Sequence, residues 1–379
     1  MRIWRLLGLL IVACLAAVTI AASLPETILA GDAVNYRERM ISLFAGQMPY
    51  RDFAFEHQPL MVVPMAVAWL AGGFSSQPAY VLATAAISFL CLAGVTGILV
   101  WSEHELHLEG WTARWLLVLV PLLPFLLFRN DGFSILLVVA AIALAMKEME
   151  SGSLVAAAAG TLSKIWPVVM APLMWWRRKR FQAGILLVAA AVGLAINFSP
   201  SVQVIQRPQG VQTETIVGSL LGFFRSLRGV DLEITRTATA YIKAPDWSIG
   251  VNVAIGAIFA VMALRAMRQN FGWDKGWTLL GALTVAGVLA SPFFSTQYVS
   301  WFAPFAAIRR HTMWQMFGIS VLSLVMILGW FSLFEGATWW WTVLVARNAL
   351  VIVLGASLVR AINAPDTLSL AHHSTNTHM

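Results

Sequence analysis

Charge is what this chain has least of. Asp, Glu, Lys and Arg make up only 11% of its 379 residues, against about 25% in an ordinary soluble domain. With 59% of the residues hydrophobic, a single core wrapped in a water-exposed surface is excluded. Cysteine is nearly absent as well. Cys14 and Cys91 both lie in apolar runs, which excludes a disulfide framework and a CxxC metal site. Acidic residues are outnumbered 18 to 25 by Lys and Arg. The resulting net charge of +7 is no nucleic-acid footprint, because the basic residues stand in short clusters between apolar runs, as membrane topology requires. A Gly-rich nucleotide loop, a DxD motif and an internal repeat are also missing.

What is present is apolar sequence in lengths that suit a bilayer, which takes about 20 residues per crossing. The pattern predicts an all-α, polytopic transmembrane helical bundle of about twelve spans. These fall near 4–24, 58–72, 79–101, 113–128, 133–147, 153–176, 181–198, 249–268, 277–291, 298–308, 314–334 and 339–360. The 17 Trp and 21 Phe suit interfacial belts and bundle packing. Met1–Arg5 followed by Leu6–Ala22 fits either a signal peptide or a retained first helix; the apolar run continues through Ile28-Leu29 and favours the helix. Short basic loops stay cytoplasmic, and Arg177-Arg178-Lys179-Arg180 is the strongest such marker. Both termini are then expected in the cytoplasm, with two large outer loops at about 25–57 and 199–248. Residues 1–363 read as one domain and 364–379 as a polar, disordered tail.

The first loop carries most of the candidate chemistry. Residues 33–45 place Tyr36, Met40, Leu43 and Phe44 on one helical face, the pattern of an amphipathic helix in the membrane interface. Asp32 stands just before it. A carboxylate there can cap the helix or act as general base on an acceptor hydroxyl. Tyr50, Arg51, Asp52, Glu56 and His57 crowd the mouth of the next span. Glu56 and His57 are adjacent and lack spaced partners, so they read as pocket-shaping hydrogen-bond groups and not as metal ligands. Lys164 lies in an apolar stretch, where a charge is functional by default or snorkels to the surface. Trp166-Pro167 should break the helix beside it. In the second loop Arg207, Glu214 and Arg225 stand out, and a helix is expected over 213–227. Tyr298 is either a belt residue or a pocket residue, and Asp131 reads as the ion-pair partner of Arg129.

Several of these segments resemble the glycosyltransferase C superfamily. They are Gly31-Asp32-x-x-x-Tyr36, Ala45-Gly46-x-x-Pro49-Tyr50-x-Asp52, Leu162-Ser-Lys164-Ile-Trp166-Pro167, Gln212-Thr-Glu214-Thr and Ser291-Pro292 with Gln297-Tyr298-x-x-Trp301. The order of these segments is similar to that of bacterial polyprenol-phosphate-mannose-dependent mannosyltransferases, a group that includes phosphatidylinositol-mannoside enzymes. His57-Gln58-Pro59 departs from the paired prolines of many relatives.

The resemblance implies an inverting, integral-membrane enzyme at the cell membrane with its active site facing outward, toward the periplasmic side. Its donor is a polyprenyl-phosphate-linked sugar, most simply mannose, and its acceptor a lipid or glycan. It uses no cofactor, and its partners are membrane lipids and not nucleic acid. Asp32 is then the catalytic base, and Lys164, Arg207 and Arg225 meet the donor phosphate. Tyr36, Arg37, Tyr50, Asp52, Glu56, His57, Gln212, Glu214 and Tyr298 line the substrate pocket. A flippase for lipid-linked sugars and a non-catalytic subunit of an envelope glycan complex stand as alternatives. The first would show matched, broken helices in two halves; the second would tolerate loss of Asp32 and Lys164.

Overall fold

The computed structural model describes residues 2–22, 30–53, 55, 57–197, 211–230, 234–236, 240–245, 247–267 and 272–364. It is mostly helical. Four helices are long and apolar enough to cross a membrane: Gln77–Glu105, Trp247–Ala266, Arg310–Leu328 and Thr338–Asn363. Shorter helices complete the bundle: Trp111–Leu119 and Asp131–Met146 pack against Gln77–Glu105, Glu150–Ser163 packs on Asp131–Met146, and Arg180–Asn197 packs on Glu150–Ser163. The outward faces carry exposed Leu82, Leu90, Val155, Phe181 and Ile258, where a soluble protein would carry charge. Such a surface is stable only in an apolar solvent. The chain is a membrane protein.

Inside, a continuous core forms around Trp111, Trp115, Trp277, Phe302 and Phe305. Small residues let helices touch at backbone distance. A Cβ added at Gly256 would lie 2.4 Å from the Ala286 carbonyl oxygen, so Trp247–Ala266 and Trp273–Ala290 cross there in direct contact. The all-α expectation needs one amendment. Val211–Gln212, Ile234–Arg236 and Ala240–Ile242 form a small antiparallel sheet with the last strand in the middle. Val211, Ile234, Tyr241 and Ile242 are residue types that fit a pleated surface.

The two ends of the bundle differ chemically. At one, Arg114 donates to the Ala307 and Ile308 carbonyls at 2.7 and 2.6 Å, and Glu103 accepts from the Gly110 and Thr112 amides at 2.8 Å each. Lys147 lies over Trp101 and Arg177 over Trp273, while Lys179 pairs with Glu150. Lys275 reaches the Ala364 carbonyl at 2.8 Å. This end is basic. At the other, Ser88 donates to the Arg129 carbonyl at 2.8 Å, and Asp32, Asp131 and Lys164 gather.

Two of the expected stretches are divided differently in the structure. The stretch 153–176 is not one helix but two antiparallel segments. Helix Glu150–Ser163 stops at Lys164, which is extended (φ −148°, ψ 142°). The chain then returns through a 3₁₀ turn, Trp166–Val169, and the helix Met170–Trp176. Pro167 occupies the first turn of the returning segment, where its missing N–H costs nothing. The Lys164–Asp131 and Lys179–Glu150 pairs tie down opposite ends of this hairpin.

The stretch 58–72 does not run between the ends. Its 3₁₀ turn Pro59–Met61, helix Val62–Ala68 and π-turn Trp69–Gly73 sit at the Asp32 end. Gln58 packs on Gly193, near the close of Arg180–Asn197, and Gly73 packs on Tyr80. Tyr80 lies in the first turn of Gln77–Glu105, and its hydroxyl donates to the Met65 carbonyl at 3.1 Å. Ser88 is eleven residues into that helix, so the part before it stands about 16 Å beyond the level of Arg129.

The helix expected over 33–45 is Gly31–Phe44. Its apolar face is not open to a lipid surface as a whole. Tyr36 and Met40 are buried against Phe55, Met61, Met65 and Tyr80, and Leu43 packs on the same cluster. Phe44 is half exposed and stacks on Trp69. A Cβ added at Gly222, in the second-loop helix Ile216–Leu227, would lie 2.1 Å from the Trp341 ring. That clearance seats the second loop on Thr338–Asn363.

Candidate functional site

Asp32 is in the first turn of its helix, but it is not the cap. Ala30 holds that position and makes no side-chain cap bond. The helix starts two residues earlier than the hydrophobic pattern implied, which moves Asp32 inside it. Its carboxylate is free to reach outward and takes Arg129 Nε at 2.8 Å. The positive end of the helix dipole favours an anion at this position. The Arg129 guanidinium also donates to the side-chain carbonyl of Gln297 and lies in the field of Asp131, Glu214 and the Tyr36 hydroxyl.

Asp131 therefore is not the partner that sequence proximity to Arg129 suggested. It is fully buried, and one oxygen, Oδ1, accepts from both Lys164 Nζ and Trp301 Nε1 at 2.6 Å each. Its other oxygen, Oδ2, is buried and has no hydrogen-bond partner among the described residues. Lys164 lies 5.4 Å over the Trp301 ring. Trp166, Trp301 and Tyr298 form a stack with centroids 5.5 and 4.0 Å apart. The Tyr298 hydroxyl lies in the field of Asp131, Arg129 and Asp32, so Tyr298 joins the centre. Snorkelling does not describe Lys164: its side chain is 13% exposed and its ammonium is held by a buried carboxylate.

Glu214 is engaged elsewhere. Its Oε2 accepts from Arg347 Nη1 at 2.9 Å and from the Thr296 hydroxyl at 2.5 Å. Arg347 Nη2 donates to the Glu214 carbonyl at 2.9 Å, and Asn348 Nδ2 to the Glu214 and Thr215 carbonyls. Thr215 caps the following helix through the Gly218 amide. Glu214 thus anchors the second loop to Thr338–Asn363. Neighbouring Gln212 is buried. Arg225 is held by the Lys243 carbonyl at 3.1 Å. Arg207 and Glu56 lie outside the described residues.

The remaining first-loop residues act at two removes. Tyr50, in the left-handed region (φ 65°), donates to the His57 carbonyl at 2.5 Å. The His57 ring meets Tyr36 edge-on at 5.3 Å, so Tyr50 and His57 buttress the face behind Asp32. Arg37 donates to the Gly73 carbonyl at 3.4 Å and lies 5.8 Å from the Trp69 ring centroid. Asp52 belongs to a separate turn. The Arg51 guanidinium beside it and the Met48 amide hold its carboxyl at about 2. Among the described residues no group of three or more His, Cys, Asp or Glu could hold a metal.

Arg347 escaped the sequence reading altogether, while Arg129, Asp131 and Trp301 were named there without a place in the site. Arg347 had a usable signal, since a charge within an apolar stretch is the mark that singled out Lys164. Fold and site together define a helical membrane protein with a buried carboxylate–cation centre at its less basic end. No family model, curated protein or solved structure matches the chain.

Proposed function

We propose that this protein is an inverting glycosyltransferase of the glycosyltransferase C kind. It moves a sugar, most simply mannose, from a polyprenyl phosphate to a hydroxyl of a lipid or glycan acceptor. One observation carries the reading: the Asp32–Arg129 and Lys164–Asp131 pairs join segments far apart in the chain, and Arg129 and Asp131 stand two residues from each other, so both pairs gather at one end of the bundle. Attack on the anomeric carbon passes through an oxocarbenium-like state, as in glycoside hydrolysis. Asp32 takes the proton of the attacking hydroxyl. The departing phosphate is a stable anion and needs fixed cations more than an acid. Lys164, oriented by Asp131 and packed on Trp301, supplies one. A single displacement inverts the anomeric centre.

Lys164→Met tests the donor side. Binding of a short-chain polyprenyl-phosphate mannose to the purified protein in nanodiscs is expected to weaken by roughly ten- to hundred-fold, the range for a charge-assisted contact. Wild-type affinity in the variant removes Lys164 from the phosphate site and leaves the reading without its cation.

For topology we infer twelve crossings, with 153–176 counted twice and 58–72 not counted. The basic end is cytoplasmic, and the centre around Asp32 faces out. Background labelling is low because Cys14 and Cys91 are buried. An impermeant thiol reagent added outside is expected to label Gln47→Cys and Lys243→Cys but neither His107→Cys nor Glu148→Cys. Labelling at His107 or Glu148 from outside restores the alternation in which 58–72 crosses.

A further inference from the structure

The mechanism above uses only one oxygen of Asp131. An ionised carboxylate has about four lone-pair positions, and Oδ1 already serves Lys164 and Trp301. Oδ2 is fully buried and accepts nothing from the described residues. A buried carboxylate oxygen is costly to leave unmatched, so a donor, whether water or a substrate hydroxyl, is expected at Oδ2. The neighbourhood indicates which. Asp131 and Asp32 both act on the Arg129 guanidinium and the Tyr298 hydroxyl, so the two carboxylates belong to one polar cluster. Trp301, whose indole N–H fixes Oδ1, is also the middle ring of the stack that ends in Tyr298. Aromatic faces beside an acidic hydrogen-bond acceptor are the combination that suits a pyranose, which has apolar C–H faces and equatorial hydroxyls.

We propose that Asp131 is a substrate-binding residue: Oδ2 accepts a hydrogen bond from one hydroxyl of the donor sugar, while Oδ1 holds Lys164 for the adjoining phosphate. One carboxylate thereby sets the distance between sugar and phosphate sites. This rests on the glycosyltransferase reading, which assigns the sugar phosphate to this centre.

The test uses the full-length protein in nanodiscs and a set of short-chain polyprenyl-phosphate mannoses, each lacking one hydroxyl. Wild type is expected to bind one of these analogues roughly ten- to hundred-fold more weakly than the parent. Asp131→Asn, which keeps an acceptor for Lys164, is expected to bind that analogue and the parent within about threefold of each other. Asp131→Ser provides the same comparison should the Asn variant fail to fold. If wild type binds every monodeoxy donor as well as the parent, or if the variants keep its full discrimination, Asp131 makes no sugar contact and only positions Lys164. If wild type binds no polyprenyl-phosphate sugar at all, the glycosyltransferase reading falls, and this assignment with it.

Discussion

Asp32→Asn is expected to leave a folded protein and to lower sugar transfer by about 10²–10⁴, the usual effect of removing a general base. The fold should hold because Asp32 caps nothing: Ala30 is the capping position. Its carboxylate is 29% exposed, so the substitution strands no charge in an apolar site on the Asp32 side. Arg129 also keeps Gln297 as an acceptor. Asn retains the size and can still meet Arg129 with its amide oxygen, but it cannot take a proton. Thermal unfolding and transfer of radiolabelled sugar, measured on the same preparation, separate the roles. Substantial transfer by a stable Asp32→Asn protein would make Asp32 an ionic clip for Arg129 and remove the base from the mechanism.

Arg347→Met is expected to destabilise the protein by about 3–5 kcal/mol, the range for breaking a buried pair from one side. Arg347 is wholly buried, and its guanidinium is shared among the Glu214 carboxylate, the Glu214 carbonyl and Asn348, with the Phe294 ring 4.4 Å away. The variant leaves Glu214 charged and nearly unexposed. The Glu214→Gln/Arg347→Met pair is therefore expected to recover part of the loss, a non-additivity that a double-mutant cycle reads directly. Since this cluster fastens the second loop to Thr338–Asn363, limited proteolysis should cut first in 211–245. An unfolding temperature equal to wild type for Arg347→Met contradicts the anchoring role.

Much of the helix layout could be read from hydropathy alone. Expected spans at 79–101, 181–198 and 339–360 correspond to Gln77–Glu105, Arg180–Asn197 and Thr338–Asn363. The break near Trp166-Pro167 was also legible, because proline acts on its own turn. Errors arose where a local pattern had two tertiary uses. Apolar residues of 58–72 could face lipid or bury Tyr36 and Met40, and the structure divides them: Met61, Met65 and Ala68 join that cluster, while Val63, Val67 and Leu70 stay exposed. The helix start at Gly31 was hidden because Asp32 is as good a cap as it is a first-turn residue.

By itself, then, the sequence determined the solvent and the parts. Scarce charge and long apolar runs require a bilayer, Pro167 requires an interruption, and Lys164 in an apolar setting requires a partner. Only the tertiary structure decided the pairings: Asp32 with Arg129, Asp131 with Lys164 and Trp301, Glu214 with Arg347. Hydropathy measures how readily a segment leaves water and is blind to which helices become neighbours and at what depth. Those depend on small residues such as Gly256 that admit close crossings, and on the reversal at Lys164, which brings it level with Asp131. Three carboxylates and three cations become a buried polar interior only when packing sets their heights, because at such burial each charge must meet its opposite or remain in water.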